Sequence, residues 1–295
     1  MRGMVKLCLL SVAVVPLPLL SLAAQEGQVF FQEVSWSPDG ERLSFTTIET
    51  EEPWGSDILT MKPNGKDVHP VPHGLSSARW TSWHPDGRRL AFTGKAEGSN
   101  DWEVYVIDLE TETVTQLTDT DTDESAPAWS PDGTELLFTA RVDGRSQVFR
   151  MSADGGDRTN LSKSTRDDWN PAWSPDGRRV AFYAAQDTSS DHLWVMRNDG
   201  SQQRQVTTGH LRDMFPSWAP DGATIVFSRQ QTGTTGVYRM TPAGSVPVEV
   251  VDPALYGRLS PDGSRVAYIK GSWPKSEIWV GEMGDERFKH KRVRH

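Results

Sequence analysis

The pentapeptide Trp-Ser-Pro-Asp-Gly, or a close variant, occurs six times in this chain, and no other feature restricts the fold so tightly. The copies begin at Trp36, Trp83 (His84 for Ser), Trp129, Trp173, Trp218 (Ala219 for Ser) and Leu259 (Leu for Trp), at intervals of 47, 46, 44, 45 and 41 residues. A period of roughly 40 to 50 residues signals an array of like units, each burying its faces against the next.

Each unit repeats in detail. The stretch after every pentapeptide has a two-residue apolar period, as in Arg89-Leu90-Ala91-Phe92, Arg179-Val180-Ala181-Phe182 and Arg265-Val266-Ala267-Tyr268. A second apolar and aromatic stretch follows, with copies such as Val104-Tyr105-Val106-Ile107 and Leu193-Trp194-Val195-Met196. β-Branched and aromatic residues suit a pleated, half-buried surface. Asn64-Gly65, Asp154-Gly155 and Asp199-Gly200 then signal tight hairpins, and weaker stretches such as Val114-Thr115-Gln116-Leu117 supply an outer strand. The expected fold is all-β: six four-stranded antiparallel sheets set radially as a six-bladed propeller, because a lone sheet would leave both faces uncovered.

The pentapeptide has a mechanical reading. Proline presets φ, the aspartates (Asp39, Asp86, Asp132, Asp176, Asp221, Asp262) bond local N–H groups, and glycine takes the left-handed conformation. Trp36, Trp83, Trp129, Trp173 and Trp218 are expected to fill the gaps between blades. These residues are read as structural.

With these motifs the chain resembles the WD-like repeat of the TolB C-terminal propeller. The resemblance runs from about Gln28 to His295 and leaves out the α/β domain that precedes the propeller in TolB proteins. It implies a protein- or peptide-binding module of the bacterial envelope.

Before the repeats, Arg2 and Lys6 introduce an apolar run, Leu7 to Leu20, followed by small residues at Ala23-Ala24 and polar Gln25-Glu26-Gly27. This is the layout of a secretory signal peptide, assigned to residues 1–24, with the mature propeller at 25–295 and a periplasmic or secreted location. Pro16 and Pro18 interrupt the run, which is shorter than the roughly 20 residues of a membrane-spanning helix, and no later segment is apolar enough to span. Cys8 is the only cysteine, so the mature chain must be held together by packing alone. Loss of Arg2 and Lys6 takes the net charge from −9 to −11, which argues against nucleic acid as a partner. The basic C-terminus, Arg287 to His295, reads as a solvated edge strand. Two schemes of ring closure fit: an outer strand at Phe288 to Arg294, or pairing of Gln28-Val29-Phe30-Phe31 with the last blade.

A binding site is expected where loops converge on one mouth of the central channel. Counting back from each pentapeptide, three blades carry an acid three residues before a proline: Glu124, Asp168 and Asp213. Arg79, Trp169 and Phe215 lie beside this position. Acids interleaved with aromatics suit a basic peptide or a cation; the same acids also suit a scaffold role, bonding backbone N–H groups. No catalytic residue, metal site or cofactor is expected. Asp119 to Glu124 fails as an EF-hand, with Glu124 and Ser130 at the sixth and twelfth positions. His69, His73, His84, His192 and His210 have no ligand spacing, and no Gly-x-Ser-x-Gly elbow occurs. The alternative function is a hydrolase or metal-dependent polysaccharide lyase at the channel mouth, using these acids with His73 and His210. No sequence feature specifies the oligomeric state.

Overall fold

The computed structural model describes residues 29–50, 55–185 and 190–283. Within them the chain is a run of antiparallel meanders. The first blade is β1 (Val29–Trp36), β2 (Leu43–Glu49), β3 (Ser56–Met61) and β4 (His69–Pro70). The second is β5 (Ser77–Trp83), β6 (Arg89–Lys95), β7 (Glu103–Asp108) and β8 (Thr113–Gln116). The third is β9 (Glu124–Trp129), β10 (Glu135–Val142), β11 (Arg145–Ser152) and β12 (Thr159–Asn160). The fourth is β13 (Asp168–Trp173), β14 (Arg179–Ala185), β15 (Asp191–Arg197) and β16 (Arg204–Gln205). The fifth is β17 (Arg212–Trp218), β18 (Ile225–Gln231), β19 (Thr234–Met240) and β20 (Val248–Val251). The sixth shows β21 (Leu255–Leu259), β22 (Arg265–Ser272) and β23 (Lys275–Glu282) among the described residues. The chain is an all-β six-bladed propeller, and no helix among the described residues is long and apolar enough to cross a membrane.

The apolar core is divided, as radial sheets require. Among the described residues six separate clusters form, one at each blade interface. Between the fourth and fifth blades, for example, Leu193 and Val195 meet Trp218, Ile225 and Phe227. Between the sixth and first, Ala267 and Ile278 meet Trp36, Leu43 and Phe45. The second strand of each blade lies in the middle of this packing, and its Phe92, Phe138, Phe182 and Phe227 are among the largest fully buried side chains.

The pentapeptide turn joins the first and second strands of each blade and is built alike in most copies. In the fourth, Ser174 Oγ donates to Asp176 Oδ1 (2.5 Å) and accepts from Arg179 N (2.9 Å), while Asp176 Oδ1 accepts from Arg178 N (3.1 Å). Ser hydroxyls hold the carboxyls of Asp39, Asp132, Asp176 and Asp262 below the usual carboxylate range. Where His84 replaces serine, its Nδ1 accepts from Asp86 N (3.1 Å). The tryptophans lie between blades: the indole N–H of Trp36, Trp173 and Trp218 donates to the carbonyl of Arg258, Ala128 and Ala172 on the preceding inner strand.

At the ring's seam, β1 pairs with β2, Val29 opposite Glu49, and is the inner strand of the first blade. It packs beside the sixth blade, where Ser276 Oγ accepts from Phe31 N (2.7 Å). The signal peptide, Gln28, and the strand expected at Phe288 to Arg294 lie outside the described residues.

Candidate functional site at the channel axis

Every inner strand carries a β-bulge three residues before its pentapeptide. The bulge residues are Glu33, Trp80, Ala126, Asn170, Phe215 and Tyr256, all with φ between 47° and 57°. A left-handed backbone is costly for side chains of this size, and six-fold repetition means the surroundings impose it. Part of the compensation comes from the preceding blade, whose second strand supplies a hydroxyl to the freed N–H: Thr93 to Ala126 (3.1 Å), Thr139 to Asn170 (3.2 Å) and Ser228 to Tyr256 (3.0 Å). In the first blade Glu33 fills this role, its Oε1 accepting from Thr81 N (3.1 Å) and Thr46 Oγ1 (2.6 Å).

The bulges bring side chains from separate blades together at the axis. Phe215 lies 4.5 Å from Tyr256 and 5.8 Å from Trp80, centroid to centroid, and Trp80 lies 5.9 Å from Tyr256. The second, fifth and sixth blades therefore close the channel with an aromatic plug. Tyr183 stands 5.5 Å from Phe215 and 5.3 Å from Trp169, which carries the aromatic surface outward to the loop-side start of β13. Trp169 and Phe215 are thus joined through Tyr183, which the repeat alignment does not mark. Burial pushes the Tyr256 phenol up to about 12 and raises that of Tyr183. Arg79, on the loop side of the plug, stacks its guanidinium 3.9 Å from the Trp102 ring centre. Its Nε is buried without a partner.

The three acids are buried, at 2%, 0% and 1% exposure for Glu124, Asp168 and Asp213. Each is held within its own blade or the loop entering it. Glu124 Oε1 accepts from Thr120 Oγ1 (2.8 Å), and Asp168 Oδ2 from Ser164 Oγ (2.6 Å), in both cases a hydroxyl four residues upstream. Asp213 has no such hydroxyl and forms a two-point ion pair with Arg229, at 2.6 and 2.8 Å. Burial and the adjacent Glu103 push the Glu124 carboxyl up to about 8, and burial raises that of Asp168. Of the two loop histidines, His73 is buried with Nε2 2.7 Å from Asp57 Oδ1, and His210 is exposed. Among the described residues no three His, Cys, Asp or Glu side chains gather to hold a metal ion.

On the pentapeptide-turn side of the plug lies a cavity of about 130 Å³ to which all six blades contribute. The residue just before each pentapeptide is Ser35, Ser82, Ala128, Ala172, Ser217 or Arg258, five small side chains and one guanidinium. Glu33 also faces this space; burial pushes its carboxyl up to about 7 against hydrogen bonds from Thr46 and the Trp80 and Thr81 backbone. Arg258 and Glu33 were not among the expected site residues, although alignment on the pentapeptide places both in register with the plug and the pore ring.

Comparison with known proteins accords with this architecture. The chain superimposes on the structure of putative TolB from Agrobacterium tumefaciens (TM-score 0.70, 22% identity, 87% of this chain and 91% of that one). TolB from Acinetobacter baumannii is similar at TM-score 0.65 and 18% identity, over 88% of this chain and 63% of that one. An oligogalacturonate lyase in complex with manganese shares the fold at TM-score 0.59 and 12% identity, over 88% and 92% of the two chains. These likenesses are of fold. No curated protein sequence matches the chain. The sequence model of the TolB beta propeller domain matches residues 25–170 and 158–290, so the chain belongs to the TolB beta propeller domain family.

Proposed function

We propose that this protein is an exported, TolB-like binding module of the bacterial cell envelope, which docks a protein or peptide on its inter-blade-loop face. One observation carries the reading: the Trp80–Phe215–Tyr256 plug turns the channel into a cup whose floor and wall are aromatic, extended outward by Tyr183 and Trp169. Rigid aromatic surface buries much area at low entropic cost, which is what an anchoring side chain of a partner needs. Arg79 supplies a cation beside that cup, and Glu124, Asp168 and Asp213 act from behind the surface by fixing the strand ends that carry it. The metal-dependent lyase form of the alternative has no gathered ligand set to start from among the described residues. Stoichiometric metal in the purified protein would favour it.

The test is capture from envelope extract on immobilised mature protein. Trp169→Ala with Tyr183→Ala should lower partner recovery at least tenfold, whereas Arg178→Ala, on the exposed pentapeptide-turn face, should leave it unchanged. Equal recovery with both would take the mouth out of the claim. Near-ultraviolet circular dichroism checks that the plug is still packed.

A further inference from the structure

The cavity on the other side of the plug has a chemistry of its own. Arg258 is the one cation lining it among the described residues. Its Nη1 donates to the carbonyls of Phe215 (3.2 Å) and Gly257 (3.1 Å), and among the described residues no carboxylate comes within ion-pair distance of it. A part-buried guanidinium without a contacting carboxylate keeps much of its capacity to bind an anion, because two carbonyl dipoles offset only part of the lost hydration. Burial lowers its pKa, with the charges of Glu33 and Tyr256 working the other way. Glu33 acts on Arg258 through space without contacting it: its Oε1 is engaged by Thr46 and Thr81, and burial pushes its carboxyl up to about 7.

The walls are two-faced. Arg258, Glu33, Ser35 and Ser82 give a polar side, while Ala126, Pro127 and Pro171 give a mainly apolar one, interrupted by Asn170. A single cation matches a singly charged anion, and the apolar wall matches a hydrocarbon body, which inorganic phosphate lacks. About 130 Å³ is room for a few heavy atoms beyond the charged group.

We propose that this axial cavity binds a small organic carboxylate, free or as the carboxyl end of a peptide, with its charge on Arg258 and its apolar body against the Ala126–Pro127–Pro171 wall. The site is separated from the loop-side cup by the plug, so it stands or falls independently of the docking reading above. Glu33 couples the site to pH. It is also faced by Arg79, Arg258 and Tyr256, and an incoming carboxylate favours its protonated form. Affinity therefore falls as pH rises through about 7.

Isothermal titration of the mature protein with isobutyrate, with the tripeptide Ala-Ala-Val and with its C-terminal amide tests this. Saturable binding of isobutyrate or the free-acid tripeptide, with none of the amide, is the expected result; which of the two binds tells whether the carboxylate is free or chain-terminal. Affinity should drop about tenfold from pH 6 to pH 8, and that drop should vanish in Glu33→Gln. Arg258→Gln should weaken binding at least tenfold. Ser35→Leu, which fills the cavity and leaves the Arg258 charge in place, should abolish it even if the Arg258 variant proves unstable. The proposal is overturned if neither acid binds, if the amide binds as well as the acid, or if Ser35→Leu binds like the parent protein.

Discussion

Glu124 was marked by the repeat, and its surroundings give it a measurable property. Its Oε2 and that of Glu103 are both buried without a hydrogen-bond partner, and the Glu103 carboxyl adjoins it closely enough to raise its pKa. Two carboxyls in that arrangement hold a proton between them. The Glu124 carboxyl is raised from an ordinary 4.5 to about 8, so the folded protein keeps a proton that the unfolded chain releases above pH 4.5. Stability then falls as pH rises through this window and levels off above about 8, with a slope no steeper than about 1.4 kcal/mol per pH unit. Glu33, raised to about 7, adds to the fall at lower pH, which leaves the interval from 7 to 8 chiefly to Glu124. Urea midpoints from pH 5 to 9 should decline through that interval in the parent protein and stay flat in Glu124→Gln. A variant retaining the parent's slope there would refute the shared proton. Residue-scale chemistry was only partly legible. The acids were found because they recur at one offset; the bulge residues share no chemistry, and none is a glycine that would betray its positive φ.

At the scale of the strand and turn the sequence is far more explicit. Two-residue periodicity, Pro-Asp-Gly turns and Asx-Gly hairpins each act locally, so the meander of every blade can be read from its own residues. What cannot be read locally is which neighbour completes a blade's hydrogen bonds. The pentapeptide tryptophan shows this: its burial is expected from its size, but its N–H finds a carbonyl of the previous blade some 45 residues upstream. Trp173→Phe should keep the packing and lose the bond to Ala128 O, at about 1 kcal/mol. Trp173→Ala should add the cavity term and reach about 3–5 kcal/mol. Both are measurable by chemical denaturation. Near-equal losses for the two would mean that the indole contributes through its N–H alone.

Over the whole molecule the question is how a linear array of six blades avoids fraying at its ends. The seam between the sixth and first blades uses the same latch as the interface between the fourth and fifth. Arg265 stacks 4.6 Å from the Trp36 ring and donates to Gly40 O (3.1 Å), as Arg179 stacks 4.5 Å from Trp218 and donates to Gly222 O (3.4 Å). The seam adds Gln32 Nε2 donating to Tyr256 Oη and Ser276 Oγ bridging Phe31 N and O. Chain continuity backs the interior interfaces and not the seam, so equal chemical damage should have unequal structural consequences. The double variant Arg265→Ala with Trp36→Phe should lose about 1–3 kcal/mol, and hydrogen exchange should show β1 and β23 losing protection well before the rest. The matched pair Arg179→Ala with Trp218→Phe should cost a similar amount while β1 and β23 keep their protection relative to the interior blades. If both pairs gave one uniform rise in exchange, the ring would open as a single cooperative unit, and the seam would be no weaker a point than any other interface.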